Sequence, residues 1–188
     1  METRIQWNGL DDDTIENCTI DVRSEGVVVT SKISGKDVDI RYQIMTDIRW
    51  LTNRCELSGY FRGFNIQFLF ERNHRGTWIA NGQPDDRFDQ CEYVDISLTP
   101  FTNSLPINRL VLSEKEAREI SAVYFDFTDR KVRPVKQCYT RLWANLYHYE
   151  NVPNDFEADI LVDDNGLVVD YPALFTRKSD SQTKESKS

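Results

Sequence analysis

The sequence alternates apolar and polar residues over many short stretches, and this periodicity constrains the fold more than any other feature. The pattern is clearest in "VDIRYQI" at 38–44, "FNIQFLF" at 64–70, "YFDF" at 124–127 and "FEADILV" at 156–162. Successive side chains of a β-strand point to opposite faces of its sheet, so each stretch is typical of a half-buried strand. The pattern therefore predicts antiparallel β-structure.

Turn signals separate these stretches. They fall at 34–36, before Gly76, and at Asp164-Asn165-Gly166. Asn and Gly both tolerate positive φ, so the last of these predicts a tight β-hairpin.

Evidence for helix is confined to one place. Ser113 and Glu116 have the spacing of a capping box and predict one short helix over "EKEAREI" at 114–120. No helices alternate with the strands, which excludes a parallel α/β fold. The chain is therefore all-β, and a sandwich, a barrel and a rolled sheet remain open.

Length and composition predict one domain with a substantial core. The chain has 188 residues, of which 12% are aromatic, including 10 Phe and 8 Tyr. That aromatic content suffices for a core and for an apolar cavity. We place the domain at 1–175, because "TRKSDSQTKESKS" at 176–188 has no apolar residue and predicts a disordered polar tail.

The net charge of the chain limits the classes of molecule that it is expected to bind. A formal net charge of −8 disfavours binding to nucleic acid and to anionic lipid surfaces. No apolar run approaches the roughly 18 residues that cross a bilayer, so no stable membrane insertion is expected. The first residues, "METRIQWNGL", lack the pattern of a signal peptide, and we expect a cytoplasmic protein. The oligomeric state does not follow from the sequence.

Residues that could hold a metal or cofactor are sparse. His74 and His148 are the only two histidines, and each stands alone in its neighbourhood. A zinc site needs three or four ligands, so we predict no metal. Motifs of the GxSxG and GxGxxG types are absent, and no cofactor is expected. Free thiols are predicted for the widely spaced Cys18, Cys55, Cys91 and Cys138.

Two aspartates leave an enzymatic alternative open. Asp95 and Asp170 lie in strand contexts, and either one beside an arginine could serve a hydrolase or lyase. A buried, hydrogen-bonded structural role is the interpretation that we favour for both. A third hypothesis, a homo-oligomeric interaction module, would require an exposed apolar edge strand.

The stretch "DISLTPFTNSLPINRL" at 95–110 cannot be a central strand. Pro100 and Pro106 have no N–H to donate, so the chain must leave the sheet here. Arg109 needs a carboxylate or a ligand if it points inward. We predict a rigid corner that contains no glycine. Its stiffness would come from side chains that bond nearby backbone groups: Thr99, Thr102, Asn103 and Asn108.

A second candidate stretch is "QCYTRLW" at 137–143. Alternation places Tyr139 and Arg141 on one face of a strand. An arginine beside aromatic rings suits recognition of a sugar or a lipid head group, and it equally suits a structural ion pair.

Four stretches together carry a resemblance to a known family. They are "GTWIANGQ" at 76–83, "YVDISLTPFTNSLPINRL" at 93–110, "QCYTRL" at 137–142 and "ADILVDDNGLVVDYPALF" at 158–175. On these motifs the chain resembles the bacterial family labelled "putative glycolipid-binding". The resemblance implies a rolled antiparallel sheet, a spiral β-roll or open barrel, similar to the lipoprotein carriers of the bacterial envelope. It supplies no catalytic residues.

We therefore predict a non-enzymatic β-roll whose interior binds a glycolipid or another amphiphile. Phe64 and Ile66 would contribute to its apolar wall. The predicted ligand-binding residues are Phe68, Trp78, Asn103, Arg109, Tyr139 and Arg141.

Overall fold

The computed structural model describes residues 1–178. The strands are β1 (Glu2–Gly9), β2 (Thr14–Val22), β3 (Val27–Gly35), β4 (Val38–Thr46), β5 (Thr52–Phe61), β6 (Phe64–Arg72), β7 (Trp78–Ala80), β8 (Gln83–Pro84), β9 (Tyr93–Ile96), β10 (Ala117–Asp126), β11 (Lys131–Trp143), β12 (Leu146–Val152), β13 (Glu157–Val162), β14 (Val168–Tyr171) and β15 (Phe175–Arg177). The α-helix is α1 (Ser104–Leu110), and two 3₁₀ turns cover Asp86–Phe88 and Phe101–Asn103. Within residues 1–178, no helix has the length and apolarity needed to span a bilayer.

All of these strands belong to one open sheet that grows in both directions from β1. The order is β8-β7-β6-β5-β4-β3-β2-β1-β15-β14-β13-β12-β11-β10-β9, with 15 strands. Trp7 shows the central position of β1, since it pairs with Glu16 of β2 and with Arg177 of β15. Neighbours are antiparallel except β9 and β10, which are parallel. The prediction of an all-β, rolled antiparallel sheet is confirmed.

Each stretch that was predicted as a strand lies in one. The stretches at 38–44 and 64–70 belong to β4 and β6, and those at 124–127 and 156–162 coincide with the end of β10 and with β13. The predicted hairpin joins β13 to β14, and Gly166 adopts a φ of 68° there. Strand β15 runs to Arg177, two residues into the predicted tail, while 179–188 lie outside the described residues.

The predicted helix at 114–120 is wrong. Glu116 Oε2 does accept a hydrogen bond of 3.0 Å from Ser113 N, as in a capping box, but this contact only closes a turn. From Ala117 onward the chain pairs with β11 over ten residues instead. The long antiparallel partner outweighs a local helix signal of two turns.

The helix instead lies in the stretch that was predicted as a rigid corner. Helix α1 contains Pro106 at its third position, where a backbone N–H has no partner within the helix. After β9 the chain enters the roll, and residues 98–107 are buried without interruption. We call the stretch from Leu98 to Leu110 the plug, because it fills the inside of the roll.

The two ends of the sheet overlap where β10 meets the first half of the chain. Phe125 packs against Phe68 and Phe70 with ring centroids 5.6 and 5.1 Å apart. On the other face of β10, Tyr124 lines a cavity. Strand β10 is therefore covered on both faces, which is how an open sheet rolls up without closing.

Candidate functional site

A cavity of about 460 Å³ lies between the second half of the sheet and the plug. Strands β9 to β12 and β14, the segment at 151–156 and the start of the plug contribute its walls. This volume falls within the range of about 300–1,000 Å³ that is typical of small-molecule sites. A second cavity of about 260 Å³ adjoins it and shares Asp11, Ser97 and Leu174 as lining residues.

One wall of the larger cavity is aromatic. Tyr149, Phe156 and Tyr171 pack together with ring centroids 6.1–6.2 Å apart. Tyr139 stands behind Tyr149, at 5.3 Å and close to perpendicular. Each ring is held by its neighbours, so the wall offers fixed flat surfaces to a ligand.

The same cavity also carries a half-buried carboxylate. Asp95 Oδ1 accepts a hydrogen bond of 2.8 Å from Thr102 Oγ1, and Asp95 Oδ2 accepts one of 2.6 Å from Gln137 Nε2. Burial raises the pKa of Asp95, and these two donors act against that shift. Each carboxylate oxygen keeps a further lone pair, which can accept a hydroxyl of a ligand.

The charged groups that belong to the cavity are mostly carboxylates. Asp11, Asp95 and Asp155 line it. Arg133 and Lys136 also line it, but Arg133 pairs with Asp126 at 3.0 Å and Lys136 pairs with Glu119 at 2.7 Å. The free charge that faces the cavity is therefore negative.

Deeper in the roll lies a second perturbed acid, the fully buried Glu16. Its Oε1 accepts three hydrogen bonds, from Tyr42 at 2.6 Å, Ser31 at 2.7 Å and Thr99 at 2.9 Å. Burial raises its pKa to about 7 even though these donors lower it. The other oxygen, Oε2, is buried and has no partner.

Sequence reasoning missed Glu16. The sequence signal is the alternation along β2. One face of this strand carries Thr14, Glu16, Cys18 and Ile20, and all four are buried. Ile15 lies between them and is 47% exposed, so the apolar residue in this stretch points outward. Thr99 lines the cavity and also bonds Glu16, which places the carboxyl one side chain behind the cavity wall.

The hydroxyl and amide side chains of the plug bond nearby backbone, as predicted. Each of these four side chains also forms a hydrogen bond with a residue outside the plug. Thr99 accepts from Phe101 N at 3.1 Å and Thr102 from Ile96 N at 3.4 Å. The amide nitrogens of Asn103 and Asn108 donate to Pro100 O and Ser104 O. The distant partners of the four side chains, in chain order, are Glu16, Asp95, Tyr139 and Gly166.

Two of the six predicted ligand-binding residues meet at the cavity. Asn103 lines it directly. Tyr139 OH donates to Asn103 Oδ1 at 2.8 Å, and the Tyr139 side chain is almost fully buried. Tyr139 thus fixes Asn103 from behind, and contact of Asn103 with a ligand stays a prediction.

The two predicted arginines lie elsewhere and bind protein groups. Arg109 contacts Glu92 Oε1 at 3.3 Å and Arg49 O at 3.4 Å, so a carboxylate of the protein is its partner. Arg141 donates to the backbone oxygens of Trp143 and Ala144 at the turn between β11 and β12, and to that of Leu112 in the segment between α1 and β10. Neither arginine is among the residues that line the cavity.

The remaining predicted residues occupy the first half of the sheet. Trp78 is fully buried, and its Nε1 donates to Cys91 O at 2.9 Å. Phe68 lines a shallow apolar groove of about 50 Å³ together with Phe64 and Ile66. The predicted apolar wall is thus a groove on the surface, separate from the cavity.

Of the two candidate aspartates, Asp95 lines the cavity and Asp170 does not. Asp170 lies on β14 opposite Leu161 and Thr176. The partners of Asp95 are a hydroxyl and an amide, which is the hydrogen-bonded setting that the structural interpretation describes.

His148 is not isolated in the folded chain, contrary to the prediction. Its Nε2 lies 4.0 Å from Glu150 Oε2 and 3.9 Å from Glu157 Oε2 on the outer face of β12 and β13. The signal in the sequence is the pattern H-x-E followed by E-x-D across a hairpin loop, at 148–150 and 157–159. The four cysteines are free, as predicted, and three of them are buried.

Comparisons with known proteins agree with this architecture. The model of a family described as "Putative glycolipid-binding" matches residues 4–177. The chain is also similar to the crystal structure of a DUF1089 family protein from Pseudomonas aeruginosa, with 30% sequence identity and a TM-score of 0.73. That similarity covers 87% of this chain and 92% of the other. No curated protein matches the chain.

Proposed function

Because the chain belongs to the family described as "Putative glycolipid-binding", we propose that it binds the sugar part of a glycolipid or a similar amphiphile in the 460 Å³ cavity. The binding is non-enzymatic, and the protein is a bacterial, cytoplasmic one. The observation that carries this proposal is that an aromatic wall and the carboxylate of Asp95 line the same cavity.

That combination suits a sugar for a chemical reason. A sugar ring presents C–H groups on its faces and hydroxyls at its edge. The faces pack on flat rings such as Tyr149 and Tyr171, and the hydroxyls need both donors and acceptors. Asp95 supplies an acceptor, while the amides of Gln137 and Asn103 supply further polar groups.

The charge of the cavity favours a neutral head group. Asp11, Asp95 and Asp155 would repel a phosphate or sulfate, and the two basic residues of the cavity are already paired. This differs from the prediction based on Arg109 and Arg141, in which arginines would engage the polar atoms of the head group. The adjoining cavity is lined mainly by polar residues, Asp12 and Arg62 among them. The exposed apolar side chains of the larger cavity, Val152, Pro153 and Phe156, give the start of an alkyl chain a surface to pack on.

Isothermal titration calorimetry with octyl β-D-glucoside, kept below its critical micelle concentration, tests the proposal. We expect saturable binding of octyl glucoside. Methyl β-D-glucoside and 1-octanol, which carry the head or the tail alone, should each bind more weakly by about tenfold or more, which is about 1.4 kcal/mol. Equal binding of 1-octanol and octyl glucoside would contradict recognition of the sugar.

Two matched variants place the site. Tyr149→Ala removes a ring of the cavity wall and should weaken octyl glucoside binding at least about tenfold. Phe64→Ala removes a ring of the apolar groove, where Phe64 is 43% exposed, and should leave binding unchanged. The reverse result would move the site to the groove. Native mass spectrometry of the purified protein would detect any lipid that co-purifies.

The hydrolase or lyase alternative gains no support from the comparisons. The names of the family and of the solved relative state no activity. Within the described residues, Asp95 keeps its raised pKa and its place at the cavity, and the binding proposal already uses both.

A further inference from the structure

Four side chains on the outer face of β12 and β13 form two cross-strand pairs. His148 lies opposite Asp159, and Glu150 lies opposite Glu157 in the antiparallel register. Residues two apart on a strand share a face, so all four side chains project from the same side of the sheet. Tyr149, between His148 and Glu150, points the other way and lines the cavity.

The orientation of the imidazole is fixed by one of these pairs. His148 Nδ1 lies 2.8 Å from Asp159 Oδ1. With Nδ1 donating to that carboxylate, the neutral ring directs the lone pair of Nε2 toward Glu150 and Glu157. A carboxylate that holds the second nitrogen of a histidine is the usual support of a metal-binding imidazole.

The two glutamates converge on one point. Asn154 Nδ2 donates to Glu157 Oε2 at 2.8 Å and lies 3.4 Å from Glu150 Oε2. Like charges directly opposite one another on neighbouring strands destabilise a sheet. A cation at this point would offset their repulsion more fully than a neutral amide does.

We propose that His148, Glu150 and Glu157 bind a divalent transition-metal ion, for which Zn²⁺ is the best fit. One ligand atom from each residue lies within 4.8 Å of the others. Zn–N and Zn–O bonds of about 2.0–2.2 Å need ligand atoms roughly 3.4 Å apart, so each side chain must move by less than about 1 Å. Glu157 is the most exposed of the three and has the freedom to adjust.

The donor set selects the class of ion. An imidazole with two carboxylates suits zinc and its neighbours in the first transition row, whereas Ca²⁺ and Mg²⁺ prefer oxygen alone. A water or Asn154 Oδ1, which a half-turn of the amide would present, completes four ligands.

The proposed metal site adjoins the cavity. The proposal of a metal ion does not depend on ligand binding in that cavity. Glu150 and Glu157 flank the segment at 151–156, which contains the last two residues of β12 and its loop to β13. Asn151, Asp155 and Phe156 of that segment line the cavity. A metal ion would tie the two ends together and restrain this part of the rim.

Zn²⁺ titration of tag-free, chelator-treated protein at pH 7 tests the site. Calorimetry should give one ion per chain. In long-range ¹H–¹⁵N spectra of the imidazoles, the Nε2 resonance of His148 should move while that of His74 stays in place. The chain has only these two histidines, so the two signals are easily distinguished.

Variants distinguish binding of Zn²⁺ at the proposed site from nonspecific binding of Zn²⁺ elsewhere on the surface. His148→Ala should abolish the binding, and Asp159→Asn should weaken it by about 10–100-fold because the imidazole loses its support. His74→Ala is the matched control and should bind as the wild type does. Zn²⁺ should raise the Tm of the wild type but not that of Glu157→Gln, which without metal should be at least as stable as the wild type.

Three outcomes would overturn the proposal. They are no heat and no shift of the His148 resonance with millimolar Zn²⁺, equal loss of binding in His74→Ala, and binding of Ca²⁺ or Mg²⁺ where Zn²⁺ does not bind. Each readout concerns the metal alone, so failure of the sugar proposal would leave this one standing.

Discussion

The two halves of the sheet have the same hairpin construction and different interiors. In β3 to β5 the inward side chains are mostly aliphatic, and Val29, Ile33, Ile40, Ile44 and Leu57 are all fully buried. In β11 to β14 the inward side chains include Gln137, Tyr139, Tyr149 and Tyr171, and a cavity of about 460 Å³ remains among them.

The difference follows from side-chain shape. Branched aliphatic side chains interdigitate and fill the space between layers, so the first half is packed. Tyrosines are long and rigid, and their hydroxyls need partners, so they keep their ends near polar groups and do not fill the space beyond. The strand pattern thus builds the sheet, and the residue type on the inward face decides where a ligand can enter.

The largest expected difference between the halves is in stability. Ile40→Ala in the packed half should cost about 2–5 kcal/mol of unfolding free energy, because it leaves a cavity with no means to collapse. Phe156→Ala at the cavity rim, where the ring is 37% exposed, should cost about 1 kcal/mol. Urea unfolding measures both. Similar costs would mean that the cavity half is packed as tightly as the other.

The second expected effect is a pH dependence that originates in the packed half. The pKa of Glu16 is about 7 in the folded protein and 4.5 ordinarily. Between these values the folded chain holds a proton that the unfolded chain releases, so the free energy of unfolding falls as pH rises. The expected loss from pH 4.5 to above pH 7 is about 3 kcal/mol.

Glu16→Gln should remove that pH dependence, and unfolding curves from pH 4.5 to 8 would measure it. The raised pKa of Asp95 acts in the same direction and should remain in the variant. Asp95→Asn is therefore the matched control. An unchanged slope in Glu16→Gln would mean that Glu16 titrates normally.

The third effect concerns the contact that holds the plug against the cavity half. Gly166 has a φ of 68°, and a Cβ there would lie 2.6 Å from Asn108 Nδ2. Gly166→Ala should cost about 2–3 kcal/mol of unfolding free energy, from backbone strain and this clash. Gly82→Ala, at a φ of 82° with open space around it, should show the strain alone, about 1 kcal/mol. Adding Asn108→Ala to Gly166→Ala should recover part of the loss.

The smallest effect separates the ring of Tyr149 from its hydroxyl. Tyr149 OH donates to Asn151 Oδ1 at 2.7 Å. Tyr149→Phe keeps the ring and should cost about 1 kcal/mol of unfolding free energy. Its affinity for octyl glucoside should stay within about threefold of the wild type, unlike that of Tyr149→Ala. A loss as large as that of the alanine variant would mean that the hydroxyl, and not the ring face, makes the contact.

Much of the fold was predictable because strand periodicity is a local property. The stretches at 38–44, 64–70 and 156–162 form strands as their alternation indicates, and Gly166 lies in the predicted hairpin. The helix was misplaced because the capping-box contact between Ser113 and Glu116 forms without a helix behind it. Helix α1 carries no periodic signal of its own, since its first four residues are all buried whichever way they point.

The site was less predictable because it depends on which strands become neighbours. Asn103 and Tyr139 were placed at a ligand site, and they do meet, 36 residues apart in sequence. Arg109 and Arg141 were predicted to bind a ligand because of their side-chain chemistry. In the folded chain Arg109 donates to Glu92 and Arg141 donates to the backbone oxygen of Leu112. Glu16 and His148 were passed over because their partners come from other strands.

The sequence by itself determined the alternation, the turns and the polar character of the plug, because each depends on residues within a few positions of one another. Tertiary structure alone decided that Glu16 meets Thr99 across 83 residues and that Asp95 lines the same cavity as the tyrosines of β12 and β14. Burial then raised the pKa values of both acids, since desolvation depends on everything that surrounds a group and not on its neighbours in the chain.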